Sequence, residues 1–242
     1  MSSPYNFPNI YACQHACQLE DMPLYRCLAQ KYGQRLLELG CGTGRITIPL
    51  AREGFYVDGV DRDPMMLNWA REQLKNETPQ VQSRIHLLEM DITSMATGRQ
   101  YDLVLFPYHS VGHLSPGQGI SALAYAVADH MLPDGAFVLS VLQPDSDLCS
   151  EKPSDLRHLE EFHVPGLGMV DCYETTRYDA TLRQLHFDWY YDLGDEEMLH
   201  IKNCLNLHSG QELEQAFRAA GLRLVETWGD FDGSAWSMDS GE

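Results

Sequence analysis

Basic residues are scarce in this chain: 17 lysines and arginines stand against 35 aspartates and glutamates, a formal net charge of −18. Affinity for nucleic acid rests largely on Lys and Arg neutralising phosphates. With no basic tract present, an RNA- or DNA-modifying protein is disfavoured. An acidic field favours a cationic or neutral small molecule, although solubility alone is a sufficient reason for the charge. Long apolar runs are lacking too, and none reaches membrane-spanning length. The N-terminal stretch has neither the basic start nor the apolar core of a secretory signal. Paired cysteine motifs are absent: the 7 cysteines are odd in number and include no C-x-x-C pair, which predicts reduced thiols in a cytoplasm. Cys13, His15 and Cys17 are close in sequence, but no second ligand pair accompanies them, so no metal site is expected.

What is present is a run of strand-and-turn signals in a chain of 242 residues, long enough for one domain plus an elaboration. Residues 36–39 suit a buried strand and lead into Gly40, Gly42 and Gly44, with an amphipathic segment over 46–52. That is a parallel strand, a tight turn of bare backbone open to a ligand, and a helix start. A second strand over 55–61 ends in Asp61, about 20 residues past the glycines, where nucleotide-binding sheets place an acid for the ribose hydroxyls. A third over 85–90 ends beside Asp91, and a fourth over 101–106 runs into Pro107, Tyr108, His109 and Ser110. Glu38, Asp61 and Asp91 thus lie near the carboxyl ends of successive strands, the edge at which open α/β sheets bind ligands. A helix cap for Asp61 and a turn acid for Asp91 are the plainer alternatives.

The ordered motifs E-x-G-C-G-T-G-R, V-x-G-V-D-R-D, L-x-x-M-D and Y-D-L-V-L-F resemble those of class I S-adenosylmethionine-dependent methyltransferases across about residues 24–143. A dinucleotide dehydrogenase prefers G-x-G-x-x-G, whereas the glycines here alternate. The resemblance implies that Glu38 and the loop of Gly40, Cys41, Gly42 and Gly44 hold the amino-acid end of S-adenosylmethionine. Asp61 takes the ribose, with Arg62 and Met66 beside the adenine. Asp91 accepts from the adenine amino group, with Ile92 flanking it and Phe106 completing the cofactor set. Tyr11 and Tyr25, from the lead-in, close over the methionine end.

The expected fold is α/β: a Rossmann-like, mostly parallel sheet with helices on both faces and a small antiparallel β elaboration over the active site. Residues 1–34 form a helical lead-in, helical over 12–32, and 35–143 form the cofactor-binding core. Asp63 and Pro64 start one helix, and Ser115-Pro116 start another over 120–131. Residues 132–135 turn into a fifth strand over 136–142. Apolar alternation over 185–193 and 199–207, less cleanly over 170–178, predicts three antiparallel strands within a 144–207 elaboration. Residues 208–242 supply a helix capped by Ser209 and stopped by Gly221, then a sixth main strand over 222–228. The family's usual last strand, between the fifth and sixth, is expected to be missing because the sequence stops at 242.

This arrangement resembles the small-molecule branch that includes glycine N-methyltransferase and the deoxysugar-amine N,N-dimethyltransferases. It implies methyl transfer to a small molecule by direct displacement in a monomer or homodimer, with an amine slightly preferred as acceptor. Tyr108, His109 and His113 follow the fourth strand at the reactive end, where a neutral histidine can accept a proton near pH 7. Trp189, Tyr191, His163 and Asp232 are the substrate-side candidates, and Trp and Tyr faces would suit a cation. The same aromatics would equally suit a packed core. A hydroxyl or carboxylate acceptor, a cofactor-binding protein without catalysis, and a modifier of protein side chains remain as alternatives.

Overall fold

Two proline-led helices precede the parallel sheet in the computed structural model, which describes residues 3–143, 148–149, 152–194 and 197–236. A 3-10 turn over Pro4–Asn6, closed by a reciprocal Ser3–Asn6 cap, leads to α1 (Pro8–Gln14), and α2 spans Met22–Tyr32. The continuous helix expected over 12–32 is therefore broken at 15–21. Pro23 sits in the first turn of α2, where a missing N–H breaks no helical hydrogen bond.

Then follow β1 (Arg35–Leu39), α3 (Thr47–Arg52), β2 (Tyr56–Asp61), α4 (Pro64–Lys75), the short α5 (Pro79–Gln82), β3 (Ile85–Glu89), β4 (Tyr101–Phe106), α6 (Gln118–His130) and β5 (Met131–Leu139). The five strands pair in parallel in the order β3-β2-β1-β4-β5. Side chains alternate between two covered faces, which is why β1 reads as an almost unbroken apolar run. Leu36, Leu50, Val57, Leu103 and Leu105 share one core with α2, and Leu37, Leu39, Val60, Val104 and Phe106 share the other with α6.

Helix starts divide the expectations. Asp63 caps α4 by accepting from the Met65 and Met66 amides. Ser115 does not cap α6, whose preceding residue is Gly117 at φ 71 with no side-chain cap. Residues 132–135 do not form a turn ahead of the fifth strand. Met131 already pairs with Tyr101 and Ala136 with Leu103, so these four residues bulge out of β5.

Among the described residues the elaboration has four strands rather than three: β6 (Arg157–Val164), β7 (Gly168–Asp179), β8 (Gln184–Asp192) and β9 (Met198–Asn206), antiparallel in that order. β6 escapes sequence reading because it is strongly charged and a register shift between His158 and Glu160 breaks its alternation. Ile10 of α1 packs among Val164, Val170, Cys172, Tyr191 and Ile201, seating this second sheet on the lead-in. α7 (Gly210–Ala219) starts at the expected Ser209, in a capping box with Glu212.

The sixth strand expected over 222–228 is not in the sheet. Leu224 and Val225 are 57% and 71% exposed, and Trp228 makes only an isolated bridge to Ala235. Apolar alternation does not hold a strand that lacks a paired neighbour. The chain end, where a missing last strand was expected, lies outside the described residues. Among the described residues no helix is long and apolar enough to cross a membrane.

Candidate active site

The turn after β1 is built from backbone that side chains would spoil. Gly40 and Gly42 lie at φ 65 and 52, the left-handed region that glycine enters without steric cost. A Cβ on Gly42 would come within 3.3 Å of Met66 Cε. The freed Gly42 N–H donates to Asp61 Oδ2 at 2.7 Å, and the Asp63 N–H donates to Asp61 Oδ1 at 2.8 Å. Burial still raises the Asp61 carboxyl above its ordinary value, against the opposing pull of those two amides. Glu38 lies beneath the turn, buried, and accepts from the Thr47 hydroxyl at the start of α3. Burial pushes its carboxyl up to about 8.

A cavity of about 290 Å³ opens at the carboxyl ends of β1, β2 and β3. Gly40, Gly42, Asp61, Arg62 and Met66 form one part of its wall, Asp91, Ile92 and Phe106 another, and Tyr11 and His113 close it. All ten were expected at the site from sequence. Asp91 Oδ1 takes both the amide and the hydroxyl of Thr93, at 2.8 and 2.6 Å. The hydroxyl first and the amide second hold that carboxyl below its ordinary range. The wall therefore offers two oriented carboxylates across a floor of bare backbone, which fits a ligand carrying ribose hydroxyls and an amino-substituted base.

Comparison with known proteins agrees with this geometry. Residues 14–227 match the methyltransferase domain family. The chain belongs to the S-adenosylmethionine-dependent methyltransferases. This methyltransferase domain is 30% identical over 204 residues to the dTDP-3-amino-3,6-dideoxy-alpha-D-glucopyranose N,N-dimethyltransferase of Streptomyces fradiae, covering 78% of this chain and 70% of that one. It is 31% identical over 109 residues to the putative methyltransferase YqeM of Bacillus subtilis (strain 168), but the match spans only 44% of this chain and 42% of YqeM. The CcbJ methyltransferase from Streptomyces caelestis shares the fold, with a TM-score of 0.79 at 21% identity over 92% of this chain and 86% of CcbJ.

The remaining expected residues of the methyltransferase domain are distributed unevenly. Cys41 and Gly44 are in the glycine turn but off the cavity wall. A Cβ on Gly59 would lie 2.9 Å from Cys41 Sγ and one on Gly44 3.2 Å from Ile48 Cδ1, so both positions serve close packing. Tyr25 is buried in the core of α2, edge-on to Phe231 at 6.3 Å, and does not reach the cavity.

Of the three reactive-end candidates, His113 alone lines the large cavity. Its Nε2 lies 2.6 Å from the Tyr5 hydroxyl. Burial, helped by the charge of Arg62, lowers its pKa to about 4. Burial also holds the Tyr5 phenol well above its ordinary value. Tyr5 therefore keeps its proton, opposite a neutral His113. Tyr5 was missed from sequence, as were Ser3, Asp63, Thr93 and Ser110, which also line the wall.

Tyr108 and His109 occupy left-handed φ of 56 and 54, a strain of about 1–3 kcal/mol each. Arg45 stacks on the Tyr108 ring at 5.1 Å while forming a bidentate pair with buried Asp21 at 2.8 and 2.6 Å. The Tyr108 hydroxyl lies 3.3 Å from His15 Nδ1. His109 is 3.3 Å from the Ser140 hydroxyl and lines a separate small cavity with Leu205 and His208.

None of the four substrate-side candidates lines the large cavity. Trp189 donates its indole N–H to buried Glu174 at 2.7 Å, and Tyr191 donates to Gln14 Oε1 at 2.7 Å within the core under α1. His163 is exposed on β6, and Asp232 is exposed, accepting from the Ser234 amide at 2.7 Å.

Proposed function

We propose that this chain methylates a small molecule, with an amine as the preferred acceptor. The observation that carries the reading is one continuous cavity whose wall runs from Asp61 and Asp91 to the Tyr5–His113 pair. S-adenosylmethionine, when bound, supplies an electrophilic methyl group on a sulfonium for in-line displacement. Asp61 has lone pairs left over from its two backbone bonds to accept from ribose hydroxyls. Asp91 does the same for the adenine amino group through the oxygen that Thr93 leaves open. Gly40 and Gly42 let the ligand approach the backbone, and Tyr11 closes that side against water.

Magnitude decides what His113 does. A pKa of about 4 leaves only about one molecule in 10³ protonated at pH 7, so His113 is a hydrogen-bond acceptor rather than a proton store. Accepting a hydrogen bond from the Tyr5 hydroxyl, it turns the Tyr5 oxygen lone pairs toward the cavity, where they accept an N–H of the incoming amine and fix its free lone pair. Positioning of this kind supplies on the order of 7–11 kcal/mol in well-oriented reactions, and displacement at a methyl group asks for little else.

The excess of 35 acids over 17 bases supports a cationic or neutral acceptor. The Streptomyces fradiae relative is named for a dideoxy amino sugar nucleotide, which makes amino sugars the first class to try. The test is release of S-adenosylhomocysteine with cationic, neutral and acidic metabolite pools offered separately. Turnover confined to the cationic pool and to amino sugars supports the reading. Turnover with neutral hydroxylated or acidic compounds moves it to oxygen acceptors. Silence in every pool, with S-adenosylhomocysteine still bound, favours a cofactor-binding protein without small-molecule catalysis.

A further inference from the structure

The loop that carries His113 is held from two sides, and the second hold comes from outside the parallel sheet. On leaving β4 its backbone passes through two strained residues, Tyr108 and His109, so its path must be imposed by contacts. β9 supplies them. Asn206 Nδ2 donates to the carbonyl of Gly112 at 3.1 Å and to that of Leu114 at 3.0 Å, the two carbonyls that flank His113. Only the amide nitrogen can meet two acceptors at once, which leaves Asn206 Oδ1 to accept from Gln184 Nε2 of β8 at 3.0 Å. Leu205 closes the same junction: a Cβ on Gly112 would lie 3.0 Å from Leu205 Cβ. Neither Gln184 nor Asn206 lines the large cavity.

We infer that Asn206 is a positioning residue that fixes the His113 ring from the antiparallel sheet, so that this sheet and the reactive end of the cavity move as one body. The inference rests on the orienting role given to His113 above. Its chemistry is specific to the carboxamide. An aspartate there sets a carboxylate against two carbonyl oxygens, a serine offers one donor, and an alanine none. Protonating the aspartate restores one of the two donors, so that variant alone regains part of the hold as pH falls.

The test uses the full chain with 15N-labelled histidine and S-adenosylhomocysteine as the probe ligand, with the His113 signal assigned by its loss in His113→Gln. In Asn206→Asp the His113 Nε2 resonance is expected to move toward its position in Tyr5→Phe, where the phenol donor is gone, and to return part of the way on acidification. Asn206→Ser should lie between wild type and Asn206→Ala. S-adenosylhomocysteine affinity should stay within about threefold, because no cavity-wall group is altered and one weakened hydrogen bond has about that size of effect. With an acceptor in hand, kcat should fall by no more than in Tyr5→Phe, about 2- to 12-fold, because Asn206 acts only through the Tyr5–His113 pair. A His113 signal unchanged in Asn206→Asp overturns the inference. So does a loss of ligand affinity in step with the signal, since Asn206 would then be holding the fold at large. Failure to find any methyl acceptor tells against the proposed activity and leaves the resonance result standing by itself.

Discussion

The Tyr5 hydroxyl and His113 Nε2 meet at 2.6 Å across 108 residues of chain. The contact joins the N-terminal 3-10 turn to the loop after β4, so the first residues of the fold complete the wall of the cavity. Tyr5→Phe removes the one donor and leaves the ring shapes unchanged. A net hydrogen bond is worth about 0.5–1.5 kcal/mol, which corresponds to about a 2- to 12-fold fall in kcat. S-adenosylhomocysteine affinity should change by less than kcat does, because Asp61, Asp91 and the glycine turn are left untouched. Steady-state kinetics beside calorimetry check both, and a Tyr5→Phe enzyme with unaltered kcat would remove the pair from the mechanism.

Acid stability carries a second signature of burial. His113 and His15 have pKa values near 4 and 3 in the fold against an ordinary 6.5, both lowered chiefly by desolvation. Between those values the unfolded chain binds more protons than the folded one, so stability is gained as pH rises and lost as pH falls below 6.5. Glu38 acts in the opposite sense, because its folded value of about 8 lies above the ordinary 4.5. There the folded chain holds the extra proton, and stability falls as pH rises from 4.5 to 8. Denaturant titrations across pH should therefore find wild type losing ground to His113→Gln as pH drops from 6.5 to 4. Wild type should lose ground to Glu38→Gln as pH climbs from 4.5 to 8. A pH-independent difference in either pair would contradict the burial argument for that residue.

The glycine turn and the acids of the cavity wall were legible because their signals are local. Gly40 and Gly42 are marked by spacing, and Asp61 and Asp91 by standing where apolar strands stop. Each follows from strand period and turn chemistry within a few residues. Tyr5 carries no such mark, since nothing near an aromatic in a Pro-Tyr-Asn turn reveals a partner in a distant loop. Trp189 and Tyr191 illustrate a different limit. Period-two alternation places them on the same face of β8 but cannot say what that face meets. It meets α1 and the buried Glu174 carboxylate rather than the cavity. The strand expected over 222–228 failed for the complementary reason: its apolar residues fit a strand, but a strand is made by its neighbour.

Gly42→Ala tests whether the turn is bare for the ligand's sake or only for its own conformation. At φ 52 an alanine costs about 1–2 kcal/mol of backbone strain. The new methyl meets the flexible end of Met66 at 3.3 Å, which can shift. Stability should therefore fall by about 1–2 kcal/mol, while S-adenosylhomocysteine affinity falls at least about 10-fold, because the methyl projects into the cavity where the ligand approaches backbone. Thermal unfolding paired with calorimetry separates the two effects. A loss of stability with affinity unchanged would mean that strain alone explains the glycine.

Asp61→Asn is a sharper probe than its near-identical shape suggests. Both carboxylate oxygens of Asp61 accept from backbone amides, Oδ2 from Gly42 and Oδ1 from Asp63. An asparagine has one acceptor oxygen, so whichever way it turns, its NH2 group faces a backbone N–H. One part-buried amide is left unsatisfied, at about 1–3 kcal/mol, either that of Gly42 in the glycine turn or that of Asp63 before α4. The unliganded protein should be destabilised by that amount. Ligand affinity should fall further than in Asp91→Asn, where Thr93 loads only one oxygen and an asparagine can keep that bond. Calorimetry on the two variants decides: an Asp91→Asn loss equal to or larger than that of Asp61→Asn would mean that the carboxylate charge, rather than its double anchoring to the backbone, governs the site.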